Sequence, residues 1–305
     1  MLFYTLKRFG MALLVLVSVS LITFTLLRLS GDPAAAMAGE AATEEDIEYV
    51  RTFYGFDRPL PVQYWSWATK ALQGDFGRSI YLKQPVADLI AAKAPVTMTL
   101  GVFALLFALV LSIPLGVLAA MHPNTIFDRM ALTLAVVGQA LPSFFFALIL
   151  IVVFGVMLRW LPISGNATWL HFILPSIVLG YYSTPAFMRL TRAGMMEVLG
   201  SDYIRTAKAK GLKPPVVLFK HALRNAVIPV VSLAAVQFGF MLGGSFIIEQ
   251  IYSIQGIGRL ALQSIYRSDF EVIQAIILTI ASIYIILTFL ADVLNAFLDP
   301  RIRVH

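Results

Sequence analysis

An all-α integral membrane protein with about six transmembrane helices is the fold class this chain predicts, on three observations. The 305 residues are 59% hydrophobic and only 13% charged, with a mean hydropathy of +0.83, whereas a soluble surface needs about a quarter charged residues. Several apolar runs reach the roughly 20 helical residues that cross a bilayer core. The excess of Lys and Arg that gives the net charge of +6 is concentrated in one short loop, as expected of a membrane chain with its basic loops inside.

The first span is expected at about Phe9–Leu29, behind Lys7 and Arg8. A signal peptide is the alternative, since Ala34–Ala36 follow, but the run exceeds the ~7–15 residues of a signal core. Residues 1–29 are therefore read as an uncleaved span entering from the cytoplasm. Residues 30–97 form the long polar stretch, with nine acids against six bases, and are read as a periplasmic region. Within it Thr43-Glu44-Glu45-Asp46 predicts a helix start, ending near Gly55. Gly74-Asp75-Phe76-Gly77 predicts a turn.

Residues 98–296 are read as the membrane core, with spans at about 98–120, 130–158, 171–190, 227–250 and 271–294. Pro142 in the third and Pro185 near the end of the fourth are expected to kink their helices. The loop 191–226 carries seven bases against Glu197 and Asp202, which places it in the cytoplasm. Six spans then put both termini, including the tail 297–305 with Arg301 and Arg303, on that side.

Enzyme chemistry is missing. There is no cysteine, so disulfides, zinc thiolates and cysteine nucleophiles are excluded. Four His stand apart. No Gly is followed by Lys, so there is no phosphate-binding loop for ATP. No zinc-protease or Gly-x-Ser-x-Gly pattern occurs, and nothing calls for a bound cofactor or metal. A secondary transporter or channel acting alone is the competing class. Ion coupling usually needs ionisable groups inside spans, and here Arg28, Glu249 and Asp292 fall near predicted span ends, where they are expected to reach the interface. Gln139, Ser143, Gln237 and Ser245 are the candidate pathway residues. For the two glutamines, a hydrogen bond between helices is the equal alternative.

The informative segment is Asp202-Tyr203-Ile204-Arg205-Thr206-Ala207-Lys208-Ala209-Lys210-Gly211-Leu212. Ser201 or Asp202 is expected to cap a helix of about two and a half turns. Gly211 stops it in the left-handed conformation, Lys208 and Lys210 complement its dipole, and Pro214-Pro215 prevent continuation. A solvated basic loop would need the charge but not this start, stop and length, so a helix that docks a partner is the sharper reading.

This segment resembles the EAA loop of ABC importer permeases, in the form found in the dipeptide, oligopeptide and nickel permease family. His221-Ala222-Leu223-Arg224-Asn225-Ala226 and Pro229 complete the paired motif. The resemblance runs along nearly the whole chain, through Gly31-Asp32-Pro33, Gly74–Gly77, Pro114–Ala120, Met188–Arg192, Gly256-Ile257-Gly258-Arg259-Leu260 and Asp299–Arg303. The large outer region is similar to that of the B-type subunit, and the length to that of dipeptide and glutathione permeases. One departure stands out: Arg205-Thr206-Ala207 replaces Glu-Ala-Ala, so the glutamate's role does not pass to Arg205.

The resemblance implies a type I ABC importer permease of the bacterial inner membrane. It implies a second homologous permease subunit and two ATP-binding subunits, or a fused pair, which bind ATP and Mg and hydrolyse the nucleotide. A periplasmic or lipid-anchored substrate-binding protein completes the set, with membrane lipid around it and no nucleic acid. Asp202, Tyr203, Arg205, Thr206, Ala207, Lys208, Lys210, Gly211 and Leu212 would form the ATPase-coupling helix. Residues 30–97 would guide peptide from the binding protein, or else act as a structural cap.

Overall fold

The computed structural model describes residues 2–39, 41–126, 128–130, 133 and 140–298. Twelve helices are labelled here in chain order. They are α1 Leu2–Ser30, α2 Pro33–Ala38, α3 Glu44–Tyr54, α4 Leu60–Leu72, α5 Val86–Met121, α6 Ser143–Leu150, α7 Ile173–Tyr181, α8 Thr184–Leu199, α9 Asp202–Ala209, α10 Ile228–Ile251, α11 Ile257–Tyr266 and α12 Phe270–Leu298. The helix α6 continues as a π-helical stretch to Met157, and a second such stretch, Val216–Leu223, leads through Arg224–Ala226 into α10. Among the described residues, four helices are long and apolar enough to cross a membrane: Phe3–Ser30, Val86–Met121, Ile228–Ile251 and Phe270–Ala296. Ser143–Met157 and Trp169–Tyr181 are shorter apolar helices.

These match the first, second, fifth and sixth expected spans. The second is longer than expected. Its 36 residues run about 54 Å at 1.5 Å per residue, more than the ~30 Å hydrocarbon core requires. The extra turns begin inside the polar region. There Val86, Leu89 and Ile90 pack against Ile257 and Leu260 of α11 and Val272, Ala275 and Ile276 of α12.

The third and fourth spans depart from expectation at their prolines. The chain leaves helical geometry at Leu141 and Pro142, and Pro142 (φ −57, ψ 135) heads α6 rather than bending it. Likewise Tyr182 and Ser183 form a turn, and Pro185 sits in the first turn of α8, where its missing N–H costs nothing. The helix α8 then runs to Leu199, past the expected end at 190. The tail from 299 lies outside the described residues.

In the polar region the local signals hold. Thr43 and Asp46 form a reciprocal capping box on α3, and Gly55 (φ 74) ends it. Arg51 of α3 pairs with Asp32, the N-cap of α2, at 2.7 Å.

The bundle is built around α5, which packs on α7, α8 and α10. Close approach is bought by small residues: a Cβ on Gly180 would lie 2.3 Å from the Ala104 carbonyl oxygen, as is usual where membrane helices meet backbone to backbone. The helix α1 rides outside, along α12, and leaves Leu14 and Ile22 exposed for hydrocarbon to cover.

Candidate functional site

The helix α9 starts at Ser201, which has the extended backbone of a cap (φ −74, ψ 154). Its hydroxyl donates to the Val198 carbonyl at 2.6 Å, so the expected side-chain cap is not made. The negative charge of Asp202 in the first turn serves the dipole instead. Eight residues give about two turns, half a turn fewer than expected. Gly211 lies just past the end at φ 73, and its N–H donates to the Lys208 carbonyl at 3.0 Å. Nothing lies within 4 Å of where its Cβ would be, so backbone conformation, not space, requires glycine here. Pro214 and Pro215 do more than block continuation, since they open the next helical stretch.

One face of α9 is an anchor. Ile204 and Ala207, three apart and so on one side, are buried among Val117 and Ala120 of α5, Met195 of α8, and Val217, Ala222 and Ala226. Ala207 therefore belongs to the buried face, not the exposed one. Asp202, Tyr203, Arg205, Thr206, Lys208, Lys210 and Leu212 are exposed. Arg205 meets Asp202 at 3.4 Å, and Asn225 donates to the Tyr203 hydroxyl at 2.9 Å. A short ridge with three bases against one acid is thus fixed to the ends of α5 and α8.

Sequence reasoning missed the clamp behind that ridge. Arg192 of α8 donates two hydrogen bonds of 2.7 Å to the two oxygens of Asp128. Asp128 also accepts from the Asn124 N–H at 2.9 Å. Hydrogen bonds from Arg192, then from the Asn124 backbone, hold the Asp128 carboxyl below the usual carboxylate range.

Of the expected pathway residues, Ser143 and Gln237 are brought together. Both line a cavity of 720 Å³ with Pro142, Tyr182, Phe240 and Gly244, and the Leu141–Pro142 break opens onto it. Ser245 is not there. It is buried and donates to Glu249 at 2.9 Å. Gln139 lies outside the described residues.

Glu249 does not reach the interface, contrary to expectation. It is fully buried, and its carboxyl accepts from Thr97 Oγ1 at 2.7 Å, from Ser245, and from the Arg259 N–H at 2.9 Å. Thr97 Oγ1 in turn accepts the Ile257 N–H at 2.8 Å. Together they satisfy the first-turn donors of α11, which would otherwise be buried without partners. The Gly256-Ile257-Gly258 sequence explains itself here, because a Cβ on Gly256 would sit 2.5 Å from both Glu249 Oε2 and Thr97 Oγ1. Asp292 is also engaged within the bundle, by Arg8 of α1 at 2.9 Å. Arg28 lies between the rings of Phe24 and Phe56.

Comparison with known proteins fits this geometry. Residues 112–304 match the family described as "Binding-protein-dependent transport system inner membrane component". Residues 1–101 match the corresponding N-terminal family of binding-protein-dependent transport system membrane components. The chain is 42% identical over 304 residues to the glutathione transport system permease protein GsiC of Escherichia coli (strain K12), covering 99% of each chain. It is 41% identical over the same length to GsiC of Pectobacterium atrosepticum, again covering 99% of each. Among solved structures it resembles a chain of the MetNI methionine ABC transporter in an inward-facing conformation. The TM-score there is 0.56 at 17% identity, over 69% of this chain and 96% of that one, a likeness of fold.

Proposed function

Because this chain belongs to the family of binding-protein-dependent transport system inner membrane components, we propose that it is a permease subunit of an ABC importer that moves small peptides of the glutathione class. The chain supplies half of a membrane pathway and no ATP site. A second, homologous permease completes the pathway. Two ATP-binding subunits, or a fused pair, hold ATP and Mg and hydrolyse the nucleotide. A substrate-binding protein delivers the peptide to the outer face. Both termini and the α9 loop lie in the cytoplasm, and α2–α4 lie outside.

The observation that carries this reading is α9 itself: a helix anchored by Ile204 and Ala207 with a basic, exposed opposite face. Such a ridge is shaped to seat in a partner's groove. Arg205, Lys208 and Lys210 supply the charge, and Tyr203 and Leu212 supply apolar contact. ATP-driven closure of the ATPase pair would move both permeases' ridges together. Because α9 is fixed to α5 and α8, its displacement is passed to the helices bordering the 720 Å³ cavity. That gives two states of the bundle biased by one ligand, as coupling requires. Gln237 and Ser143 would wet the passage, and specificity would rest largely on the binding protein.

The experiment is purification of the tagged chain in mild detergent with identification of its companions, followed by reconstitution and glutathione uptake. Co-purification of an ATPase and a second permease, with uptake that needs ATP, is expected. A chain that emerges alone and moves solute without ATP would overturn the proposal in favour of a secondary transporter.

A further inference from the structure

Six charged side chains line a cavity of 330 Å³ at the end of the bundle that carries α2–α4. They are Arg28, Arg58, Lys70, Arg78, Asp75 and Glu271. Among the described residues, no direct ion pair joins any two of them. Four cations and two acids thus face the same space, none of them within 4 Å of an opposite partner in the set.

The depth of the cavity follows from two of these residues. Arg28 is in the last turn of α1, and Glu271 is the second residue of α12. Both helices are long and apolar enough to cross a bilayer, and they pack along each other. Charged groups at the ends of two adjacent spans lie at the level of the lipid headgroups. The bend after α3 and the helix α4 close over them. Arg28 faces Glu271 electrostatically but makes no direct ion pair with it, and its guanidinium packs 5.1 Å from the Phe24 centroid and 4.7 Å from that of Phe56. That leaves its donors for another acceptor. Gln63, also on the wall, keeps a buried Oε1 with no partner. The cavity shares no lining residue with the 720 Å³ cavity between α6, α7 and α10, so it stands apart from the proposed pathway.

We propose that this cavity binds the headgroup of a zwitterionic phospholipid. The phosphate takes the donors of Arg28, Arg58 and Lys70, since guanidinium and ammonium groups are the usual phosphate partners. The headgroup ammonium lies toward Glu271 and Asp75. The acids account for a zwitterion rather than a purely anionic head.

The test is native mass spectrometry of the assembled complex, extracted from membranes containing phosphatidylethanolamine. Wild type is expected to retain one such lipid at this chain. The Arg58→Gln/Lys70→Gln variant, altered at two exposed side chains, is expected to retain about tenfold less, the scale of losing charge-assisted hydrogen bonds. Added phosphatidylethanolamine should raise the melting temperature of wild type but not of the variant. If the double variant does not purify, Arg58→Gln alone serves. Equal retention in wild type and variant, or none in either, overturns the assignment. So does displacement of the lipid by inorganic phosphate or glutathione, which would make this a site for soluble anions.

Discussion

Arg192 and Asp128 are joined by two parallel hydrogen bonds of 2.7 Å, with only 4% of the Asp128 side chain exposed. This clamp ties the segment after α5 to the helix that leads into α9. A planar guanidinium makes both bonds at once, which an ammonium cannot. Arg192→Lys is therefore expected to lower the thermal midpoint of the purified chain, and Asp128→Asn to do so as well. The pH dependence has a definite sign. The folded-state carboxyl titrates below its unfolded value of about 3.9. Its contribution is thus present above that value and is lost as pH falls through the depressed one. The gap in midpoint between wild type and Asp128→Asn should be flat across neutral pH and close only in strong acid. A gap that closes near pH 6 would show that another group carries the effect.

Gly211 should respond to backbone preference rather than to bulk. Its φ of 73 is costly for most side chains, at roughly 1–2 kcal/mol, and its surroundings are open. Gly211→Val should distort the end of α9 and reduce ATP-driven uptake about tenfold or more. Gly211→Asn, which tolerates this conformation, should retain much of it. Gly211→Asp adds an acid to a basic ridge and is expected to abolish uptake while membrane insertion stays intact. Uptake that falls with side-chain volume instead would mean that this glycine contacts the partner.

The Thr97–Glu249 pair joins residues 152 apart in sequence and holds the first turn of α11. Thr97→Val leaves the Ile257 N–H buried without an acceptor, at a cost of about 1–3 kcal/mol. Thr97→Ser should restore most of it. Gly256→Ala pushes a methyl against both partners and is expected to cost about as much. Melting of the purified chain in detergent reads all three. Equal midpoints for Thr97→Val and Thr97→Ser would show that shape, not the hydrogen bond, matters here.

These sites mark what the sequence could and could not disclose. Long apolar runs made α1, α5, α10 and α12 legible. Local chemistry made the Thr43 box and the Gly55 and Gly211 stops legible, because each signal lies within a few residues of its effect. Pro142 and Pro185 were ambiguous, since a proline bends a helix or starts one according to the turn before it, and Leu141 and Ser183 do not announce a break. Glu249 was misread because its acceptor role depends on Thr97 and on the N–H groups of α11. The Asp128–Arg192 clamp joins residues 64 apart and left no periodic trace. In the expected pathway set, Ser143 and Gln237 share a cavity, whereas Ser245 turns to the Leu242 carbonyl and to Glu249.

The outer helices offer the last prediction. Tyr49, Phe53 and Tyr54 of α3 leave 67%, 68% and 55% of their surface exposed, and the rings of Tyr49 and Phe53 stack at 5.9 Å. The Arg51–Asp32 pair braces α3 against α2, so this aromatic patch is held in place rather than loose. Exposed, ordered aromatics are the residues that most often anchor protein interfaces. If α3 receives the binding protein, Tyr49→Ala with Phe53→Ala should raise the concentration of binding protein needed for half-maximal uptake about tenfold or more. The co-purified ATPase should be unchanged. Deletion of 40–56 should block uptake in a complex that still assembles. Unaltered uptake in both would leave the outer region as a structural cap over the spans, and the delivery surface would then have to be sought on α11, which packs on α5 and α12 at that end of the bundle.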